Sequence, residues 1–77
     1  FSEYHFMRFF NRHMNMTYIE YLNQYRLEMA SRQLAKTELP ITTIALESGF
    51  NNISYFNRVF KKKFGVTPKE YRKLDNR

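Results

Sequence analysis

The amino-acid sequence predicts an all-α chain in which two copies of one helical unit flank a long connecting helix. Three observations predict it: a self-repeat at an offset of fifty residues, a run without Gly or Pro from Thr17 to Lys36, and helix punctuation at both glycines and at two Thr-x-x-Glu boxes. The repeat pairs Phe6, Arg8, Phe10, Thr17, Glu20 and Tyr21 with Phe56, Arg58, Phe60, Thr67, Glu70 and Tyr71. Conservative pairs lie between them: Phe9 with Val59, Arg12 with Lys62, Met14 with Phe64, and Met16 with Val66. Asn15 meets Gly65, and these two residue types best tolerate a left-handed helix end.

The elements follow in chain order. Ser2 can cap a helix running to about Met14, with Phe6, Phe10 and Met14 along one side. Thr17 and Glu20 form a capping box that opens the connecting helix, residues 17–36, of some 20 residues or about 30 Å. On it Tyr18, Leu22, Tyr25 and Met29 form one apolar stripe, and Leu27, Ala30 and Leu34 a nearly opposite one. A helix whose apolar face changes sides midway is expected to touch one body early and another late.

A loop around Thr37 to Pro40 leads to a short helix over 41–48, with Ile41, Ile44, Ala45 and Ser48 inward. Gly49 ends it and opens the turn Gly49-Phe50-Asn51. The next helix, about 53–64, is expected to bury Ile53, Phe56, Phe60 and Phe64, and Gly65 stops it. Thr67, Pro68 at the first helical position and Glu70 then start a last helix. Subtracting fifty from the short helix puts its counterpart before residue 1, so the chain is expected to begin inside the first unit, at its turn. The whole is expected to be one domain, 1–77. Its parts are the remainder of the first unit (1–16), the connecting helix (17–36) and a second unit with a C-terminal helix (41–74).

Composition narrows the function. Eight Phe and six Tyr among 77 residues supply a small aromatic core and argue against disorder, while the lack of Cys removes disulfides and thiolate metal sites. No apolar run approaches a membrane span, and the N-terminus lacks a signal-peptide pattern, so a cytoplasmic protein is expected. His5 and His13 lie eight apart without a third ligand in register, so no metal and no cofactor is expected. Seven scattered acids offer no paired-carboxylate or nucleophile constellation, so catalysis is not expected.

The net charge of +6 points to a polyanion. Its distribution is more telling than its size. No acid lies between Glu47 and Glu70, where Arg58, Lys61, Lys62, Lys63 and Lys69 fall, nor between Glu3 and Glu20, where Arg8 and Arg12 fall. A short helix, a glycine turn and a longer helix with a basic outer face make a helix-turn-helix unit, whose second helix enters the major groove of DNA. Opposite Phe56 and Phe60 lie Ser54, Arg58 and Lys61, flanked by Tyr55, Asn57 and Lys62. Opposite Phe6 and Phe10 lie Tyr4, Arg8 and Asn11, flanked by His5, Met7 and Arg12. Arg8 and Arg58 are equivalent, and arginine paired with guanine is the commonest base-specific contact. Phosphate contacts are expected from Asn11, Arg12, Asn57, Lys61 and Lys62, and at the helix starts from Thr42, Thr43, Thr67 and Lys69.

The segments Ile44-Ala45, Gly49-Phe50, Ser54-Tyr55-Phe56, Arg58-Val59-Phe60-Lys61, Phe64-Gly65-Val66-Thr67-Pro68 and Glu70-Tyr71-Arg72 form one pattern with Tyr21-Leu22, Arg26-Leu27 and Ala30. In this pattern the chain resembles the C-terminal DNA-binding domain of the AraC/XylS transcription regulators. The resemblance implies two helix-turn-helix units on a long helix, with recognition helices in successive major grooves on one DNA face. It implies base contacts at Tyr4, Met7 and Arg8 and at Ser54, Tyr55 and Arg58. It further implies a bacterial regulator, usually an activator, acting with RNA polymerase and carrying an N-terminal sensor or receiver domain. The connector's length of about 30 Å nearly matches the roughly 34 Å of one duplex turn. Two rival classes remain open: a basic helical protein-interaction module, and a nucleic-acid binder indifferent to sequence.

Overall fold

A computed structural model describes residues 16–75, and among them it holds four helices and no strand. These are α1 (Tyr18–Lys36), α2 (Ile41–Glu47), α3 (Ile53–Phe64) and α4 (Pro68–Asp75). The expected helix before Met14 lies outside the described residues.

Local chemistry sets each boundary. At the start of α1 the Glu20 backbone N–H donates to the Thr17 hydroxyl (3.0 Å), and the Thr17 N–H donates to the Glu20 carboxylate (2.8 Å). The same pair of bonds recurs fifty residues on, between Glu70 and Thr67 at 3.1 and 2.9 Å. The two copies of the repeat therefore share a helix-start geometry as well as a residue pattern. Thr37 closes α1, both its backbone N–H and its hydroxyl donating to the Gln33 carbonyl. Asn52 caps α3 by accepting the Tyr55 N–H on Oδ1 at 2.9 Å. Gly65 ends α3 at φ +82°.

The core forms where α1, α2 and α3 meet. Leu27, Ala30 and Leu34 of α1 face Ile44 and Ala45 of α2 and Phe56 and Phe60 of α3, all buried. This is the later of the two stripes expected on α1. Of the earlier stripe, Tyr18 and Leu22 are half-buried while Tyr25 and Met29 are exposed. The body expected to face it falls outside the described residues. Rings extend the core from one end of α3 to α4: Phe56 lies 5.6 Å from Phe60, and Tyr71 meets Phe60 edge-on at 5.5 Å. Tyr71 is thus a packing residue, and Pro68 beside it is fully buried.

One expected core residue is exposed. Ile53 keeps 37% of its surface in solvent, because Phe50 fills the core at that end of α3, its ring 5.1 Å from Phe56. The turn puts Phe50 there. The Gly49 N–H donates to the Leu46 carbonyl (3.0 Å) and the Phe50 N–H to the Ala45 carbonyl (2.8 Å), the paired bonds of a Schellman motif. In that motif the residue after the glycine packs back on the helix it has just left.

Candidate nucleic-acid interface

The second unit is α2, the Gly49 turn and α3. Gly49 has φ +98°, a left-handed conformation that costs a side-chain-bearing residue free energy. Phe50 pins the turn to the core from one side. Phe56 and Phe60, fully buried, pin α3 from the other, which fixes the opposite face outward. Ser54, Asn57, Arg58, Lys61 and Lys62 are all exposed there, as their helical spacing requires.

Tyr55 is half-buried and differs from these neighbours. Its ring lies 6.2 Å from Phe50, and its hydroxyl accepts a 2.6 Å hydrogen bond from the Asn23 side-chain amide of α1. The Arg58 guanidinium carbon stands 5.2 Å from the Tyr55 ring centroid, within reach of a cation–π contact. Lys63 turns away from this face and pairs with Glu28 of α1 at 3.4 Å, close over the Phe64 ring.

At the other edge, Thr42 of α2 and Lys69 of α4 line one shallow cleft of about 540 Å³ with Ile41, Arg72 and Lys73. Thr42 and Lys69 are exposed, while Thr43 and Thr67 are half-buried. The Thr67 hydroxyl accepts from the Glu70 N–H, and the Thr67 N–H is held by the Glu70 carboxylate.

The charge pattern is less segregated in space than in sequence. The carboxyls of Glu20 and Glu70 are lowered in pKa, first by the backbone N–H of Thr17 and of Thr67 and then by the threonine hydroxyls. Weaker attraction to Lys62 acts on Glu20, and to Lys61 and Lys73 on Glu70. The helix starts thus place ionised carboxylates near the lysines of an acid-free segment. Reading acids along the chain missed this, as it missed the Glu28–Lys63 pair, because both cross between elements.

Of the residues assigned to DNA contact, Ser54, Tyr55, Asn57, Arg58, Lys61 and Lys62 come together on α3, and Thr42, Thr43, Thr67 and Lys69 at the starts of α2 and α4. Tyr4, Met7, Arg8, Asn11 and Arg12 lie outside the described residues. Sequence reasoning missed Asn23, whose role depends on a partner 32 residues away, and Asn52, whose position just before Ile53 was a readable capping signal.

No described helix is long and apolar enough to cross a membrane. Residues 1–74 match the family described as Helix-turn-helix domain. The bifunctional transcriptional activator/DNA repair enzyme AdaA of Bacillus subtilis is 38% identical over 73 residues, covering 95% of this chain and 35% of that protein. The regulatory protein SoxS of Salmonella typhimurium is 38% identical over 72 residues, covering 94% of this chain and 67% of that one. The chain thus spans about a third of the first of these relatives and two thirds of the second. Among solved structures, the C-terminal domain of AraT, a response regulator from Geobacillus stearothermophilus, superposes with a TM-score of 0.84 at 36% identity, covering 95% of this chain and 60% of that one. The C-terminal domain of the two-component response regulator yesN from Fusobacterium nucleatum gives 0.81 at 37% identity, with 92% and 69% covered. Agreement of sequence across the family match and of backbone across these neighbours makes the chain a member of the AraC/XylS-type helix-turn-helix family of bacterial transcription regulators.

Proposed function

We propose that this domain binds a specific duplex DNA sequence by seating α3 in the major groove. One observation carries the reading: an exposed basic face on α3, centred on Arg58, directly opposite side chains that are wholly buried. Burial fixes the helix, so the outer face is presented with little freedom to rotate. Ser54 and Arg58 then meet base edges, where the major groove distinguishes all four base pairs. Tyr55 joins them through its ring, which suits an apolar base edge such as the thymine methyl, since its hydroxyl is engaged by Asn23. Asn57, Lys61 and Lys62 meet phosphates beside the groove. Thr42, Thr43, Thr67 and Lys69 do so at its edge, where helix starts favour anions.

By the family resemblance, Tyr4, Met7 and Arg8 read bases in the preceding groove, with Asn11 and Arg12, the repeat counterparts of Lys61 and Lys62, on phosphate. The spacing of about 30 Å along α1 suits two sites one turn apart. In the whole protein this domain serves a transcriptional activator of the bacterial cytoplasm, working with RNA polymerase and governed by an N-terminal sensor or receiver domain. No catalysis is assigned to it. AdaA is named as a repair enzyme as well as an activator, and this chain corresponds to about a third of it.

Selection of bound sequences from a randomised duplex pool at two salt concentrations tests the reading. The expected product is an enriched motif of two parts one helical turn apart, with affinity falling steeply as salt rises. Salt-sensitive binding without enrichment would mean phosphate contact alone. Absence of binding would favour an acidic protein partner.

A further inference from the structure

We propose that Asn23, on the connecting helix and away from the outer face of α3, is a positioning residue for base selection: it holds Tyr55 in place, and Tyr55 holds Arg58. The inference rests on Arg58 reading a base and deepens that reading.

Three contacts compose it. The Asn23 Nδ2 amide donates to the Tyr55 hydroxyl at 2.6 Å, in a half-buried setting where water competes poorly. Phe50, itself buried, lies 6.2 Å from the Tyr55 ring. Arg58, one turn further along α3, stands 5.2 Å from the same ring. The tyrosine is therefore fixed at its tip by α1 and flanked at its ring by the turn, and it presents its ring to the guanidinium.

The consequence is entropic and directional. Arginine carries among the largest rotamer entropies of any side chain, and an exposed one samples many rotamers before it meets a base. A fixed aromatic platform narrows that set, and an arginine held ahead of binding loses less freedom on docking. A bidentate contact to guanine gains most from this, because both bonds need the fork in one orientation. Binding to phosphate gains least, since phosphates accept from many directions. Asn23 should therefore act on the preference for one base over another, and hardly at all on affinity for arbitrary DNA.

A double-mutant cycle in the full chain tests it, with Asn23→Ala, Tyr55→Phe and their combination. The readouts are base preference at the position Arg58 reads, affinity of the Asn23→Ala chain for a random duplex, and thermal stability. Tyr55→Phe keeps the ring and removes only the hydroxyl, so it probes the same bond should Asn23→Ala fold poorly. Each single variant is expected to lower the preference at that one position by roughly two- to tenfold, the range of a single hydrogen bond. The combination is expected to lower it no further, and Asn23→Ala to leave random-duplex affinity unchanged. Asn23→Asp, whose carboxylate can accept from the Tyr55 hydroxyl, is expected to restore the preference.

Additive losses, or a uniform loss on all sequences together with a lower melting temperature, would make Asn23 a tie between α1 and α3 and overturn the proposal. So would an unchanged preference in Asn23→Ala beside an abolished one in Arg58→Ala, which would leave base reading by Arg58 intact. Retained preference in Arg58→Ala would remove that reading and this inference together.

Discussion

Arg72 of α4 donates through Nε to the Leu34 backbone carbonyl of α1, 3.2 Å away and 38 residues earlier. Leu34 is in the last turn of α1, where carbonyls have no partner within the helix and carry the negative end of its dipole. The last helix thus caps the connecting helix with a cation. A hydrogen bond to a charged group contributes about 1.5–3 kcal/mol, but the Arg72 Nη2 is buried without an acceptor among the described residues, which offsets part of that. Arg72→Ala is expected to lower stability by about 1–2 kcal/mol. A urea midpoint equal to that of the parent chain would show the contact to be incidental.

The two glycines differ in what surrounds them, and their substitutions should differ too. A β-carbon on Gly49 would stand 2.7 Å from the Arg26 Nε, whereas one on Gly65 would meet nothing within 4 Å. Both positions carry the strain of positive φ, roughly 1–2 kcal/mol for an ordinary residue. Arg26 is flexible and can move aside, so the excess at Gly49 comes mainly from disturbing the turn that seats Phe50. Gly65→Asn is expected to be nearly tolerated, while Gly49→Val should cost more than the strain alone and weaken DNA binding as α3 shifts. Equal losses in thermal unfolding at the two sites would mean the turn does not depend on Gly49.

The paired capping boxes predict a dependence on acid. In the folded chain the N–H and hydroxyl groups of Thr17 and Thr67 hold the Glu20 and Glu70 carboxyls below the ordinary glutamate range. The folded state therefore binds fewer protons than the unfolded one as pH falls through that range. Their stabilisation is complete above the ordinary glutamate value and is lost as pH drops through the lowered one. Glutamine at the same place keeps a side-chain acceptor for the cap and does not titrate. Glu70→Gln should flatten the fall in melting temperature on the acid side with little change near neutrality. An identical acid slope would place the effect elsewhere.

What the sequence discloses here is whatever is decided within about four residues. The boxes at Thr17 and Thr67, Pro68 at a helix start and the stops at Gly49 and Gly65 are local chemistry, and they locate nearly every described boundary. The outward face of α3 was legible for a related reason, because the Phe56–Phe60 stripe fixes it by periodicity alone. Ile53 was misjudged by the same periodicity. Its place in the stripe is correct, but the space is taken by Phe50, which a Schellman turn returns to the core. Contacts between elements had no local signal at all: Asn23 with Tyr55, Glu28 with Lys63, and Arg72 with the Leu34 carbonyl. The face of α3 could therefore be read in advance, and the device beneath it could not.

Arg58 and Lys62 give the sharpest test of the proposed function, since they share an exposed helix face but should differ in what they contact. Arg58 sits opposite Phe56 and Phe60 and stands over the Tyr55 ring, and its planar, two-pronged donor is the one expected to read a base. Lys62 lies further round α3, where Glu20 of α1 feels its charge, and is expected to meet phosphate. Arg58→Ala should cost about 1–3 kcal/mol on the preferred duplex and relax selectivity at one base position. Lys62→Ala should weaken every duplex to a similar degree and reduce the salt slope by about 1. Neither side chain is buried, so helicity should survive both changes and unfolding cannot mimic the result. Equal losses on preferred and random DNA for Arg58→Ala would reassign it to phosphate. No loss on either duplex would mean that α3 presents a different face to its partner.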